Sequence, residues 1–258
     1  MMRAKRTVMN AWRTAAMTLV ALSALSAANA LNLVQDPSFE TTQSNNTYGS
    51  PPTTWFAGQS FGSTASGDTS GTSQVWVVTS GSIDLVNGPN FGHPGGGGNQ
   101  FVELNGNNPG AIRQTVTVSQ DGLYDFSFFY GGYAATESGG TPASNYELRA
   151  RARIVDSSNN VVHSAIVSWS IDAAGGVNGS WIDTPYTAQF VLSAGTYYVE
   201  FATLHFGGTD ANGNYIPDYF GPRIDSVNLS LVPEPASMVA LGAGLTGLLG
   251  LRRRRAQG

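Results

Sequence analysis

Within residues 31–231 apolar side chains recur at every second position over short stretches, and Gly, Pro, Asn or Ser interrupts each stretch. Period two sends successive side chains to opposite faces, the pattern of strands with one buried face, and no part of this region sustains the 3.6-residue period of a helix. The pattern predicts about ten strands, at residues 32–34, 74–78, 100–104, 111–118, 122–130, 146–155, 161–169, 186–192, 195–206 and 224–231. Residues 56–73, rich in Gly, Ser and Thr, show no alternation and read as loop. Two reversals are legible. Asp156-Ser157-Ser158-Asn159-Asn160 separates two β-rich runs, and Ser193-Ala194-Gly195 supplies a tight turn into Thr196-Tyr197-Tyr198, read as a closing hairpin. Many short strands joined by turn residues predict an all-β body, an antiparallel β-sandwich of the jelly-roll kind.

The ends of the chain depart from this pattern. Arg3, Lys5, Arg6 and Arg13 precede the uncharged run 15–24, which closes on Ala28-Asn29-Ala30. A basic start, a short apolar helix and small residues at Ala28 and Ala30 make an export signal, with cleavage expected after Ala30. At the other end residues 236–251 are uncharged and Arg252, Arg253, Arg254 and Arg255 follow at once. As a helix that stretch spans about 24 Å, a marginal transmembrane helix, and the arginines hold its end on the cytoplasmic side. The division is therefore a signal peptide at 1–30, a sandwich at 31–231 and an anchor segment at 232–258.

Val232-Pro233-Glu234-Pro235 stands directly before the apolar helix, and Pro233 and Pro235 keep the peptide extended. The order Pro233-Glu234-Pro235, apolar helix, arginine cluster, chain end resembles the PEP-CTERM sorting signal. That resemblance implies recognition by exosortase in a Gram-negative bacterium that makes exopolysaccharide. It also implies a precursor tethered to the inner membrane, then delivery to the cell surface or extracellular matrix. Gly242-Ala243-Gly244-Leu245-Thr246-Gly247 has dinucleotide-site spacing, but no strand precedes it and no acid follows, so it is rejected.

Charge changes the picture of the body. Eight of the 13 basic residues lie in the terminal signals, whereas 16 of the 17 acids lie within 31–231, where five arginines leave a net −11. Such a surface repels nucleic acid and anionic lipid and favours cations or neutral sugars as partners. With no cysteine, disulfides, thiolate metal sites and cysteine nucleophiles are excluded.

Three segments carry a second resemblance: Asn32-Leu33-Val34-Gln35-Asp36-Pro37-Ser38-Phe39-Glu40, then Glu103-Leu104-Asn105-Gly106 with Pro109-Gly110-Ala111-Ile112-Arg113, then Gly221-Pro222-Arg223-Ile224-Asp225-Ser226-Val227. They are similar to galactose-binding-like jelly rolls of the DUF642 and carbohydrate-binding-module kind, with Asp36-Pro37 where those proteins usually have Asn-Gly. The resemblance implies a structural calcium held by Glu40 and Asp225, whose hard oxygens suit that ion; a hydrogen-bonded carboxylate pair is the plainer reading. Asp210 to Asp218 alternates oxygen donors but lacks the closing glutamate of an EF-hand and reads equally as a Gly/Asn turn.

Polysaccharide is the expected ligand, through either of two features. Arg149, Arg151 and Arg153 alternate with small or apolar residues, so a strand there carries three guanidinium groups on one face. Such a row grips carboxylates or sulfates of an acidic polysaccharide, or is a solvated face paired with acids on neighbouring strands. Tyr130, Tyr133, Trp181, Tyr215 and Tyr219, at strand ends or in Gly-rich loops, offer ring faces for sugar stacking; Trp55, Trp76 and Trp169 lie in or near strand runs and are expected in the core. The three histidines are isolated and no nucleophile motif occurs, so the body reads as non-catalytic. A structural matrix or adhesion protein without sugar binding, and a glycoside hydrolase or lyase using Glu103, are the alternatives. Mass spectrometry of the mature protein from its host is expected to find an N-terminus at Leu31 and a C-terminus near Pro233; intact ends would overturn both processing events.

Overall fold

The protein is described from a computed structural model, in which residues 31–40, 53–61, 75–87, 100–132, 147–170, 181–204, 208–209, 215–216 and 221–233 are described. Fourteen strands and no helix occur among them. In chain order these are β1 Thr53–Phe56, β2 Ser60–Phe61, β3 Trp76–Ser80, β4 Ser82–Asn87, β5 Gln100–Glu103, β6 Ala111–Val118 and β7 Gly122–Gly131. They continue as β8 Glu147–Asp156, β9 Val161–Ser170, β10 Tyr186–Leu192, β11 Gly195–Thr203, β12 Gly208–Thr209, β13 Tyr215–Ile216 and β14 Arg223–Leu231. One sheet has the order β1-β4-β5-β14-β7-β10, the other β2-β3-β6-β11-β8-β9, and β12-β13 form a small ribbon. The two six-stranded sheets make an antiparallel sandwich, and Asn32–Ser230 packs as one unit. The export signal and the segment from Glu234 onward lie outside the described residues.

Alternation builds the core as expected. In β6 Ile112, Val116 and Val118 point inward while Arg113, Thr115 and Thr117 face out. Between the sheets the aromatic rings touch in series: Phe126 and Phe128 on Phe201, Phe201 on Trp76, Trp76 on Phe39, Phe39 on Phe61 and Phe61 on Trp55, with centroids 4.9–6.3 Å apart. Each such pair adds about 0.5–1.5 kcal/mol beyond the area it buries. Trp76 and Trp169 are fully buried as predicted, and Trp55 is half-buried on β1.

The differences from the sequence reading are concentrated where the chain changes sheet. β3 and β4 are joined by Gly81 alone, at φ +58°, and a Cβ there would sit 1.8 Å from the Pro109 carbonyl oxygen. The β1-β2 corner packs beside it, with the Ala57 N–H donating to the Gly81 carbonyl. β2 therefore lies inside the stretch read as loop, its Phe61 buried, and β1 and β4 were likewise not predicted. The turn at Ser193-Ala194 is not a hairpin: β10 pairs with β7 in one sheet and β11 with β6 and β8 in the other. It arches across the sandwich beside the matching β6-β7 arch. Ala194 N–H donates to Asp121 Oδ1, Tyr197 OH to the Ser193 carbonyl and Tyr124 OH to the Gln120 carbonyl. The reversal at Asp156 is a true β8-β9 hairpin, with Asp156 Oδ1 accepting from the N–H groups of Ser158 and Asn160, and Asn159 at φ +65°.

The chain's first and last described segments are tied together by hydrogen bonds. Asn32 bridges Ser230, Leu33 N–H donates to the Leu229 carbonyl at 2.8 Å, and Val227 N–H donates to the Pro37 carbonyl at 2.8 Å. So 32–34 forms a bridge rather than a full strand. The buried Gln114 side chain completes the docking, accepting from Gln35 N–H and donating to the Gln35 carbonyl.

In the first sheet Asp84, Glu103 and Arg223 stand side by side on β4, β5 and β14. Glu103 and Arg223 are almost wholly buried; Arg223 Nε donates to Glu103 Oε2 at 3.3 Å and Gly221 N–H to Oε1 at 3.0 Å. Burial outweighs the attraction of Arg223 and raises the Glu103 pKa to about 7. A folded-state pKa above the unfolded value of 4.5 stabilises the fold fully below that pH, and the contribution is lost as pH rises through about 7. At roughly 1.4 kcal/mol per unit this is up to about 3 kcal/mol. His163, its pKa lowered by burial, acts in the opposite sense. Thermal melts from pH 4.5 to 7.5 are therefore expected to differ in slope between wild type and Glu103→Gln, the variant lacking the decline toward neutral pH; parallel curves would refute the assignment.

Candidate functional site

The outer face of the second sheet is built from the residues that β6, β8 and β11 turn away from the core. Strand register sets them in rows. Glu200 on β11 stands opposite Arg113 of β6 on one side and Arg153 of β8 on the other. In the adjacent row Ala202 stands between Ala111 and Arg151, and Ser80 lies beyond Ala111 past a bulge at Thr79. Two alanines side by side leave a depression with taller side chains around it. The result is a cleft of about 340 Å³, lined by Arg113, Arg151, Arg153, Glu200, Thr79 and Thr203 among others. That is the small end of the volume range of ligand sites, about 300–1,000 Å³.

The cleft's charges are unevenly matched. Glu200 is buried and serves two arginines: Arg113 Nε donates to Oε1 at 2.7 Å, and Arg153 Nη2 lies 2.7 Å from Oε2 in an ion contact that lacks hydrogen-bond alignment. Arg113 also lies over the Tyr198 ring, 4.4 Å from its centroid, which fixes the guanidinium plane. Arg151 differs. Its cross-strand neighbours are Ala202 and Ile166, and its buried Nε has no hydrogen-bond partner among the described residues. Arg149, at the strand's outer end, is exposed and held by Glu147 at 2.6 Å. The predicted row thus does put three arginines on one face, yet only Arg151 and Arg153 line the cleft. Arg113 and Glu200, which sequence alone did not single out, complete it.

The aromatic candidates are distributed elsewhere. Trp181 is buried, edge-on to Phe101 at 5.4 Å, because it bridges Gly131 at the end of β7; its ring is part of the core and not a displayed platform. Tyr130 is half-buried beside Phe128, and burial raises its pKa. Tyr215 lies on β13, and Tyr133 and Tyr219 fall outside the described residues, as does the oxygen-rich stretch from Asp210 to Asp218 apart from β13. Glu40 Oε1 accepts from the Gln100 N–H, and Asp225, wholly buried, accepts from the Ser226 N–H. No cluster of three or more acids or histidines suited to a metal occurs among the described residues, so calcium at Glu40 and Asp225 would need most of its six to eight oxygens from carbonyls. Glu103 is buried on β5 and Glu147 lies on β8 of the other sheet, and neither lines the cleft.

Residues 231–255 match the PEP-CTERM protein-sorting motif. This covers Pro233, Glu234, Pro235 and the four terminal arginines. No curated protein matches the chain. Among solved structures it is similar to TmCBM61 in complex with β-1,4-galactotriose, at 13% identity and a TM-score of 0.41 over 78% of this chain and 99% of that one. It is also similar to a family 35 carbohydrate binding module from Clostridium thermocellum, at 17% identity and a TM-score of 0.35, over 61% of this chain and 92% of the other. A CBM35 from Paenibacillus barcinonensis gives 13% and 0.35, over 70% and 99% respectively.

Because Glu200 holds two guanidinium groups and Arg151 is held by no acid among the described residues, their removal should have unequal consequences. Glu200→Gln is expected to cost about 1–3 kcal/mol in chemical denaturation, having stripped two arginines of their counter-charge. Arg151→Ala should stay within about 0.5 kcal/mol of wild type. Equal losses would show that Arg151 is paired in the folded protein.

Proposed function

We propose that this protein is exported, processed by exosortase through its PEP-CTERM motif, and displayed at the cell surface or in the matrix. There its sandwich binds polysaccharide without catalysis. The observation that carries the binding half is the cleft on the second sheet, a shallow floor of Ala111 and Ala202 ringed by arginines, hydroxyls and the Glu200 carboxylate. Sugars present many hydroxyls on a small, rather flat body. A site that suits them needs several oriented polar groups and a floor without bulky side chains, and both are met here. The sorting half rests on the match at residues 231–255, and the membrane-tethered precursor on the short apolar segment before Arg252.

Absence of catalysis is supported by where the carboxylates lie. Glu200 is committed to two arginines and Glu103 is closed off by Arg223, which leaves neither as an acid poised over an open cleft. Filling the floor is the direct test. Ala202→Trp is expected to keep the thermal transition and to lose at least tenfold in affinity for any glycan that wild type retains on an array. Unchanged binding would move the site elsewhere on the sandwich. No glycan bound by wild type at millimolar concentration, with or without calcium, would favour the structural matrix reading.

A further inference from the structure

The distribution of positive charge says more about the ligand than net charge does. Residues 31–231 contain five arginines, no lysine and 16 acids. Arg223 is spent inside the first sheet on Glu103. The other four, Arg113, Arg149, Arg151 and Arg153, all project from the outer face of the second sheet. Against them that face sets Glu147 and Glu200. The accessible arginines of the body are therefore gathered on one patch, with an excess of two positive charges among the described residues, in a body whose net charge is −11.

We propose that the cleft reads an anionic substituent on the polysaccharide, a carboxylate or sulfate carried by a sugar, with Arg151 as its anchor; this rests on the reading that the cleft is where polysaccharide binds. Arg151 is the arginine that strand pairing leaves without an acid, since Ala202 and Ile166 are its neighbours. A guanidinium matches carboxylate and sulfate oxygens with parallel N–H donors, which an uncharged hydroxyl does not reward to the same degree. Arg113 and Arg153 share one carboxylate, so together they still carry a positive charge toward the cleft. Thr79 and Ser80, exposed at the rim, supply neutral polar groups for sugar hydroxyls. The acids elsewhere on the body do not abolish this attraction. At physiological salt, charges beyond about 8 Å are largely screened, so a bound anion feels the patch rather than the average. The net −11 that favours neutral partners on average thus misdescribes this one surface.

Calorimetric titration of the full chain in mild detergent distinguishes the possibilities, with polygalacturonate, its carboxyl-reduced neutral form and a sulfated galactan as probes. Wild type is expected to bind at least one anionic polymer about tenfold or more tighter than the reduced one, and which anion is preferred identifies the source. Arg151→Ala should erase that preference while retaining wild-type thermal stability. If wild type binds charged and reduced polymers alike, or Arg151→Ala keeps the preference, the anion assignment falls and polysaccharide binding stands. If wild type binds none of the three and no glycan on an array, polysaccharide binding itself fails and takes this inference with it.

Discussion

The ion pair between Glu103 and Arg223 sits where β5 meets β14, so it joins the middle of the chain to the last strand at the centre of the first sheet. Around it the Leu104 N–H donates to the Pro222 carbonyl, and Gly221 lies so close to Asn105 that a Cβ would come within 2.3 Å of that side chain. Two short motifs more than a hundred residues apart are thereby one packed unit. The pair has a cost: desolvation raises the Glu103 pKa despite the adjacent guanidinium. Buried pairs of this kind contribute little net stability against an apolar substitute, but breaking one strands a charge, and that asymmetry fixes which strands may be neighbours.

Strand positions were legible in most strands with one buried face, because alternation records burial directly; β4, with Ile83 and Leu85 buried, is the exception. β6 and β10 match their predicted limits, and β7, β8, β9 and β14 differ by a residue or so. What alternation cannot record is which sheet a strand joins. Ser193-Ala194-Gly195 has the composition of a hairpin turn, and an arch between sheets requires the same small, flexible residues. Gly81 is similar: as a single-residue corner it makes β3 and β4 look like one interrupted run. β2 escaped notice because two residues are too few to show a period, although Phe61 is fully committed to the core.

The candidate site was half legible for the same reason. Arg149-Ala150-Arg151-Ala152-Arg153 announces a charged face within one strand, and the face is there. Its energetics depend on cross-strand partners that only register supplies. Glu200, 47 positions beyond Arg153, is shared between that residue and Arg113 in the same row. Nothing near Arg113 or Glu200 in the sequence marks them as partners. The aromatic candidates fail differently: Trp181 follows a Gly-rich stretch, which suggested a loop, but its bridge to Gly131 turns the indole inward against Phe101.

A sheet face with four arginines and, among the described residues, two acids is not what stability alone would select. Each guanidinium on it repels the others, and a third acid at position 202 would stand opposite Arg151 in the register and relieve the imbalance. Alanine occupies that position, as it does position 111 beside it, so the residue that gives Arg151 no counter-charge on β11 also opens, together with Ala111, the space in front of it. Absence of an acid and absence of bulk coincide at one point of the register. Local rules of strand pairing are broken there and kept around it, in the row where Glu200 is shared. A departure that confined points to a use outside the fold: a partner that brings the missing negative charge and fits where the missing side chain would have been.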